Sequence, residues 1–183
     1  MIYIYLLLAL GLVIFSVLLV IFFVFQVIAA FTTDAPFVPI PKEVEGKIIE
    51  TLKLDDKSVL YDLGCGDARV LLKAIRKYPN IKAVGIEIAF FPYILAKLKT
   101  RKFGNIKIRR QNVFTADLSY STHIFVYLFP KAMERLMPIL EKQCKVGTRI
   151  ISCDFEDKNW QATEVVELNP LAKRGKRLIV YTI

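Results

Sequence analysis

Two glycines, Gly64 and Gly66, stand between two acidic residues, Asp62 and Asp67. Glycine has no Cβ, so a loop built on this pair lets the backbone come close to a ligand. A dinucleotide-binding loop would need a third glycine three positions after the second, where this chain has Arg69. The two flanking carboxylates also favour a cationic ligand, such as a sulfonium, over an anionic pyrophosphate. A glycine turn without a ligand is the alternative.

Two further groups have the chemistry to recognise a nucleoside. Glu87 ends an apolar run 21 residues after Gly66, and a ribose-binding acid is expected about 20 residues after such a loop. A carboxylate accepts two hydrogen bonds from a cis-diol, although an isolated strand-end acid is more often simply solvated. Gln111, Asn112 and Val113 follow a later apolar run, where a side-chain amide can bond the adenine edge. A turn asparagine is the alternative there.

Alternating strands and helices must position these residues. Strands are predicted at 58–63, 83–88, 106–110, 124–129, 148–155, 165–168 and 177–182, and helical patterns at 42–53, 70–75, 94–98 and 133–140. This alternation predicts a Rossmann-like, doubly wound α/β fold with a seven-stranded, mostly parallel sheet. The last two strands have no helix between them, which predicts a hairpin and one antiparallel strand. Ligands bind such sheets at the carboxyl ends of the strands, where the glycine loop lies.

The N-terminal segment is of a different kind. Residues 1–33 contain no Asp, Glu, Lys, Arg or His, and about 20 apolar residues suffice to cross a bilayer core. A secretory signal peptide is the alternative, but the segment has no basic start and its apolar stretch is about twice too long. We therefore predict a single transmembrane helix over 1–33 in contact with membrane lipid. Lys42, Lys47 and Lys53 follow it, so the globular part is predicted to face the cytoplasm, or a matrix-like compartment in an organelle.

The rest of the chain carries the whole formal charge of +9. Three prolines make residues 34–41 an extended linker or lid segment, and residues 42–183 form the predicted ligand-binding domain. The three cysteines form no Cys-x-x-Cys pair and the one histidine stands alone, so neither a disulfide framework nor a metal site is indicated.

Basic residues cluster in two stretches of this domain. They are Lys97, Lys99, Arg101, Lys102, Lys107, Arg109 and Arg110 in the first, and Lys173, Arg174, Lys176 and Arg177 in the second. Such stretches bind RNA phosphates or anionic lipid, or form a solvated face that keeps the domain soluble. The sequence alone leaves these three interpretations open.

Taken together, these features resemble the class I S-adenosylmethionine-dependent methyltransferases over nearly all of residues 36–183. The stretch 62–66 is similar to the first motif of that family, Glu87 to its second-strand acid, and Asn112 to its adenine contact. The resemblance implies S-adenosylmethionine as the cofactor. The residues that it implies for cofactor binding are Asp62, Gly64, Cys65, Gly66, Glu87, Asn112 and Val113.

One branch of that family is more similar still. It comprises small archaeal protein-lysine methyltransferases and membrane-anchored lysine methyltransferases of mitochondria, and the similar stretches are 37–41, 61–67, 113–119 and 147–152. The resemblance implies methyl transfer to a lysine ε-amine of a protein. The chain departs from the branch at Ala68, where glycine is usual, and at Ile88-Ala89, where an asparagine-like residue follows the acid.

The lysine must react in its neutral form, which an apolar, aromatic entrance would favour by desolvation. Tyr127, Phe129 and Trp160 are candidates for that entrance, with ordinary packing roles as the alternative; the sequence indicates no general base. Two other functions stay open. One is a methyltransferase acting on RNA, a lipid or a small molecule, although the Asp/Asn-Pro-Pro-aromatic sequence of many base N-methylases is absent. The other is a non-catalytic membrane module that keeps the fold.

Overall fold

The chain divides into two compact units, Met1–Pro36 and Phe37–Ile183. The structure, a computed structural model, describes residues 1–32, 39–157 and 159–183. The predicted boundary at 33–34 and most of the predicted linker, residues 34–38, lie outside the described residues. The division of the chain into anchor, linker and domain therefore stays a prediction at those positions.

The first unit is one long apolar helix, α1, over Ile2–Thr32. At a rise of about 1.5 Å per residue, its 31 residues extend roughly 46 Å, longer than the hydrocarbon core of a bilayer at about 30 Å. The side chains from residue 2 to residue 24 are exposed, and the Ser16 hydroxyl donates a hydrogen bond to the Leu12 carbonyl at 2.8 Å. Length and composition alone make this helix a candidate membrane span.

The second unit is a sheet of seven strands, within the described residues, with helices on both faces. The strands are β1 Val59–Leu63, β2 Lys82–Glu87, β3 Ile106–Arg110, β4 His123–Val126, β5 Arg149–Cys153, β6 Glu164–Glu167 and β7 Arg177–Thr182. The helices are α2 Lys42–Leu52, α3 Arg69–Lys77, α4 Phe90–Thr100 and α5 Pro130–Gln143, with a 3₁₀ turn at Val113–Thr115.

The strand order is β3-β2-β1-β4-β5-β7-β6. The first five strands in this order are parallel, and β7 runs antiparallel to both of its neighbours. The predicted doubly wound sheet with one antiparallel strand is thus confirmed. The connections leave β1 towards β2 on one side and reach β4 on the other, so the switch point lies above the carboxyl ends of β1 and β4.

The centre of the sheet is mostly apolar, as expected for parallel strands covered on both faces. Leu60, Leu63 and Ile124 are inaccessible to solvent, and Phe125 nearly so. From α3, Leu71 completes this layer on one face of the sheet. A rigid core therefore fixes the positions at which the β1 and β4 chains leave the sheet.

Two predicted strands extend two or more residues too far at their carboxyl ends, and those predicted over 83–88 and 165–168 end one residue early, at Glu87 and Glu167. The strand predicted over 124–129 ends at Val126, because Pro130 begins α5 and the preceding residues turn away from the sheet. The strand predicted over 148–155 ends at Cys153, because Asp154 takes a left-handed backbone conformation with φ 64°. Apolar residues continue past both ends, so hydrophobicity alone could not locate them. Both corrections concern the edge of the sheet where ligands bind.

Candidate functional site

The glycine loop joins β1 to α3 across the end of β2. Gly64 has φ 80° and Gly66 has φ 54°, the left-handed region that glycine adopts without strain. The backbone N–H groups of Gly64 and Cys65 both donate to the Ile86 carbonyl, at 2.9 and 3.0 Å. A Cβ on Gly64 would lie 3.3 Å from Cδ2 of Leu128. The loop is therefore pinned to β2 below and closed on one side by the chain that leaves β4.

The Cys65 side chain points away from the loop into the core. It is buried, and a Cβ built on Gly85 would lie only 2.7 Å from its Sγ atom. Burial, helped by the carboxylates of Asp62 and Glu87, raises the pKa of the Cys65 thiol well above its ordinary value. The thiol stays neutral and inaccessible, so a ligand over this loop can meet only the backbone of Cys65.

Glu87 lies directly against the glycine loop. Its carboxylate is almost buried and accepts hydrogen bonds from the backbone N–H of Gly66 at 2.9 Å and of Ala89 at 2.8 Å. An ionised carboxylate has about four acceptor positions, so two remain for the hydroxyl groups of a ribose. The structure thus brings together the two sequence motifs that were predicted to form one site.

Asp62, at the inner side of the loop, is a buried carboxylate without a donor. Its exposed fraction is 3%, and no group in the described part of the chain donates a hydrogen bond to it. Among the described residues, every side-chain oxygen or nitrogen that solvent cannot reach has a hydrogen-bond partner. Because the carboxylate of Asp62 has none, it must reach a small opening. Burial, with the charges of Glu87 and Asp67, raises the pKa of Asp62 well above its ordinary value. A cation in that opening would restore the charged form.

Asp67, at the outer side of the loop, is neutralised within the protein. The guanidinium of Arg69 donates to both carboxylate oxygens, at 2.9 and 3.1 Å, and Lys99 donates at 2.6 Å. Burial raises the pKa of Asp67, but these two partners outweigh it and lower the pKa to about 2. The two flanking acids therefore differ, because the charge of Asp67 is already paired within the protein, and the prediction of a cationic ligand now depends on Asp62.

The Gln111–Val113 segment reaches the same edge of the sheet. The N–H of Gln111 donates to the Glu87 carbonyl at 3.2 Å, which holds the segment beside β2. The side-chain oxygen of Asn112 accepts from the N–H of Phe114 at 3.0 Å and caps the 3₁₀ turn. Asn112 thus has a turn role, and its amide NH₂ group and the second lone pair of its oxygen remain for a base edge. Val113 is half-buried in the first position of the turn.

Aromatic rings gather beyond β4 and β5. Tyr127 stacks on Phe155 with ring centroids 5.9 Å apart, and Phe129 lies 5.6 Å from the same ring. We call these three side chains the aromatic cluster. Trp160 is not part of the cluster, because its ring packs on Tyr181 at 6.3 Å. Burial, followed by the negative charge of Asp154, raises the pKa of Tyr127 to about 12.

Three further residues at this edge were not among the predicted site residues. Phe155 and Asp154 fall within the strand predicted over 148–155, although an acid followed by an aromatic residue after an apolar run is a signal for a strand end. Ile88, 48% exposed directly after Glu87, presents an apolar surface of the kind on which a planar base can lie. An exposed apolar residue next to an acid at a strand end was the signal available.

The sequence model of the family described as the ANTKMT methyltransferase domain matches residues 62–164. The chain belongs to this family. That matched range begins at Asp62 and includes the glycine loop, Glu87, Asn112 and the aromatic cluster. As a class I methyltransferase, the chain uses S-adenosylmethionine as its methyl donor.

Curated relatives cover most of the domain. A protein-lysine N-methyltransferase of Saccharolobus islandicus is 34% identical over 142 residues, which are 76% of this chain and 88% of the relative. A lysine N-methyltransferase of Homo sapiens, named for a component of ATP synthase, is 26% identical over 153 residues, 78% of this chain. The aligned region is 64% of the human protein, so that relative is considerably longer.

A solved structure agrees with both the fold and the cofactor. The RNA methyltransferase from Salinibacter ruber, in complex with S-adenosyl-L-homocysteine, superposes with a TM-score of 0.73 and is 34% identical, over 80% of this chain and 94% of that one. The open carboxylate of Asp62 and the free acceptor positions of Glu87 fit the cationic part and the ribose of S-adenosylmethionine, the methylated form of that nucleoside. The residues present therefore suit the cofactor that the family uses.

Proposed function

We propose that this methyltransferase methylates the ε-amine of a lysine in a protein that lies in or beside a membrane. The observation that carries the proposal is the aromatic cluster. Leu128, which covers Gly64, stands between Tyr127 and Phe129 in the chain, so the cluster lies next to the glycine loop. Aromatic faces attract an arriving ammonium, and an apolar entrance favours the neutral amine that must react.

The names of relatives support this acceptor. The Saccharolobus islandicus relative is a protein-lysine N-methyltransferase, and a mouse relative, 28% identical over 110 residues, is an adenine nucleotide translocase lysine N-methyltransferase. The human relative is likewise a lysine N-methyltransferase. A lysine acceptor is the activity these three relatives have in common.

We propose that the cofactor lies across the glycine loop. In this arrangement the free acceptor positions of Glu87 bind the ribose, and Asp62 faces the cationic part. Asn112 and Val113 border the adenine, with Ile88 on its other side, while Gly64, Cys65 and Gly66 contribute backbone only. S-adenosylmethionine supplies a methyl group already activated by a positive sulfur. The protein then has to position the acceptor and exclude water.

The acceptor amine must lose a proton before it reacts, because a lysine has a pKa of about 10.4 in water. Its lone pair then forms the N–C bond while the C–S bond breaks and that electron pair stays on sulfur. Tyr127 does not take the proton at neutral pH, since its pKa of about 12 keeps the phenol protonated. Its hydroxyl can only orient the amine, and the proton leaves to water at the open edge of the sheet.

We further propose that α1 anchors the protein in a membrane as a single span. Its length, its lack of charge and its exposed side chains support this role. The positively charged residues that follow favour a cytoplasmic position for the domain, or a matrix-like one in an organelle. An anchor raises the effective concentration of acceptors in the same membrane without new contacts.

Methylation of RNA is a second candidate. The Salinibacter ruber neighbour is an RNA methyltransferase at the same sequence identity as the archaeal lysine methyltransferase, 34%. The basic stretches also suit phosphate binding. The two acceptors make opposite predictions for the aromatic cluster. Removal of a ring should impair lysine entry, whereas binding of RNA phosphates depends on the basic residues.

The test uses the full chain in detergent with tritiated S-adenosylmethionine and a membrane extract of the host. Label that is lost to protease and recovered as methyl-lysine after hydrolysis would support the proposal. Label that is lost to nuclease would move the function to RNA, and label extracted by organic solvent would move it to a lipid. An Asp62→Asn variant serves as the control for transfer that does not need the cofactor site.

A matched pair of variants then tests the aromatic cluster. Phe155→Ala removes the ring shared by Tyr127 and Phe129, whereas Tyr120→Ala removes an exposed aromatic residue outside the cluster. We expect the first change to lower methyl-lysine formation about tenfold and to leave cofactor affinity unchanged, since a desolvated contact between an ammonium and an aromatic ring is worth up to about 2 kcal/mol. Equal activity of the two variants would contradict a lysine entrance at the aromatic cluster.

A further inference from the structure

Helix α4 presents an apolar face to the outside. Its buried residues are Ala96 and Thr100, on one side of the helix. At about 100° per residue, the opposite side carries an exposed row of large apolar residues. We call this row the α4 stripe: Phe90, Phe91, Ile94, Leu95 and Leu98. A surface helix normally turns such a row towards the core, so α4 is reversed with respect to the usual pattern.

Basic residues border the α4 stripe. Between Glu87 and Asp117 the sequence contains no acidic residue, and its basic residues are Lys97, Lys99, Arg101, Lys102, Lys107, Arg109 and Arg110. All are exposed, and Lys99 also pairs with Asp67. The guanidinium of Arg110 lies 5.2 Å from the centre of the Phe90 ring, and the ammonium of Lys97 lies 5.7 Å from that of Tyr93. Cations and aromatic rings are therefore interleaved at the edge of the stripe.

We propose that the α4 stripe and its basic border bind the surface of an anionic lipid bilayer. A helix with Phe and Leu on one face, bordered by Lys and Arg, lies in the plane of a membrane interface. The apolar face enters the boundary between headgroups and acyl chains, and each basic residue near the surface is attracted to the anionic headgroups. An anionic bilayer therefore interacts with both parts of this surface, the apolar α4 stripe and its basic border.

Two other occupants use the surface less completely. An RNA strand would pair with the basic residues, but it gives no reason for five exposed aliphatic and aromatic side chains on one helical face. A second copy of the chain would bring the same basic residues opposite one another across a two-fold axis. Like charges at such short range disfavour that contact.

The position of α4 connects this surface to the site. The helix begins at Phe90, three residues after Glu87, and the N–H of Ala89 at its start donates to the Glu87 carboxylate. Lys99, near its other end, binds Asp67 of the glycine loop. Docking of α4 would hold the cofactor loop near the lipid surface, where acceptors in or beside the membrane lie. This inference does not require α1 to span the membrane.

The test measures how deep α4 lies in vesicles. A nitroxide is attached to Leu98→Cys in the full chain with Cys144→Ser, and a matched label is placed at Val146→Cys, which is 93% exposed and precedes β5. The chain is reconstituted into vesicles of phosphatidylcholine with phosphatidylglycerol, or of phosphatidylcholine alone. Collision rates with oxygen, which concentrates in lipid, and with a water-soluble nickel chelate then report the surroundings of each label.

In anionic vesicles we expect the ratio of oxygen to nickel collisions at position 98 to rise about threefold or more, with no change at position 146. Charge reversal by Arg101→Glu with Lys102→Glu, or the pair Ile94→Ser with Leu95→Ser, should lower the ratio again. Full access of nickel to position 98 in anionic vesicles would overturn the proposal. Protection from both reagents with spin–spin broadening would also overturn it, in favour of a second copy. Sensitivity to the charge reversal but not to the serine pair would overturn the role of the α4 stripe, because the surface would then bind headgroups through charge alone.

Discussion

The two sides of the glycine loop treat a buried carboxylate in opposite ways. On the outer side, Asp67 is held by Arg69 and Lys99, and its pKa falls to about 2. On the inner side, no cationic side chain among the described residues pairs with Asp62 or Glu87, and the pKa of Asp62 rises well above its ordinary value. On the outer side, side chains of the protein itself balance the negative charge. On the inner side, only a bound ligand can balance it.

This difference shows where the loop serves the fold and where it serves the function. Arg69 also donates to the Ile40 carbonyl at 3.0 Å, so the outer side fastens the segment before α2 to the loop. On the inner side, burial and the neighbouring carboxylates disfavour the charged form of Asp62. Such a site is stabilised when a cation binds, and the cofactor of this family carries one at its sulfur.

The largest expected effect on cofactor affinity comes from removing Glu87, the second acid on the inner side. Glu87→Ala loses both the proposed ribose contacts and the hydrogen bond that holds the N–H of Gly66. With two hydrogen bonds to a charged group lost, at about 1.5–3 kcal/mol each, affinity for S-adenosylmethionine should fall about 100-fold or more. Equilibrium dialysis with labelled cofactor measures this affinity. Glu87→Gln keeps one acceptor oxygen and should lose less; an unchanged affinity in Glu87→Ala would refute the ribose role.

The inner side should also make cofactor affinity depend on pH. A cationic ligand prefers the ionised form of Asp62, so affinity should fall as pH falls below the raised pKa of this carboxyl, by up to about tenfold per pH unit. Above that pKa the affinity should level off. In Asp62→Asn this part of the pH dependence of cofactor affinity should disappear. The same steep profile in wild type and variant would show that another group is responsible.

Asp67, on the outer side, should affect the stability of the fold rather than the affinity for the cofactor. The pKa of Asp67 falls from 3.8 to about 2 on folding, so the charged form stabilises the protein above the unfolded value and this contribution is lost as pH falls from about 4 towards 2. Because Lys99 is partly exposed, we expect Asp67→Asn to lower the unfolding free energy at pH 7 by only about 1–2 kcal/mol. Denaturant unfolding at pH 7 and at pH 3 measures both effects. A loss of equal size at both pH values would contradict the ion-pair account.

The smallest effect concerns the backbone between the two sides. Ala68 has φ 62°, a left-handed conformation that glycine adopts more easily than alanine. We expect Ala68→Gly to raise the unfolding free energy by about 0.5–1 kcal/mol, after allowance for the more flexible unfolded chain. The cofactor affinity should change little, because the alanine side chain is buried away from the loop opening. A loss of stability would mean that packing of this methyl group outweighs the strain.

The sequence predicted the sheet because alternating apolar runs and helical patterns are local properties. Glu87 and the two glycines were found for the same reason, since their spacing along the chain reflects one βαβ unit. The different states of Asp62 and Asp67 could not be found in this way. Lys99 lies 32 residues after Asp67 and reaches it only when α4 packs beside the loop.

The aromatic residues show a similar limit of local patterns. Tyr127 and Phe129 are predicted as part of a strand because apolar character continues past Val126, and only the start of α5 at Pro130 turns them out of the sheet. Phe155 joins them from the end of β5. Residue type alone cannot separate Trp160 from this group, because its contact with Tyr181 depends on the antiparallel return of β7.

The most direct test of the account compares Asp62→Asn with Asp67→Asn in the full chain, by cofactor titration and thermal unfolding. The two variants should behave in opposite ways. Asp62→Asn should lose about 10- to 100-fold in affinity for S-adenosylmethionine, as expected for one charged contact, and should unfold at a higher temperature without ligand. Asp67→Asn should bind nearly as the wild type does and unfold at a lower temperature. Wild-type affinity in Asp62→Asn, or equal loss of affinity in both variants, would contradict the division of the loop into a functional side and a structural side.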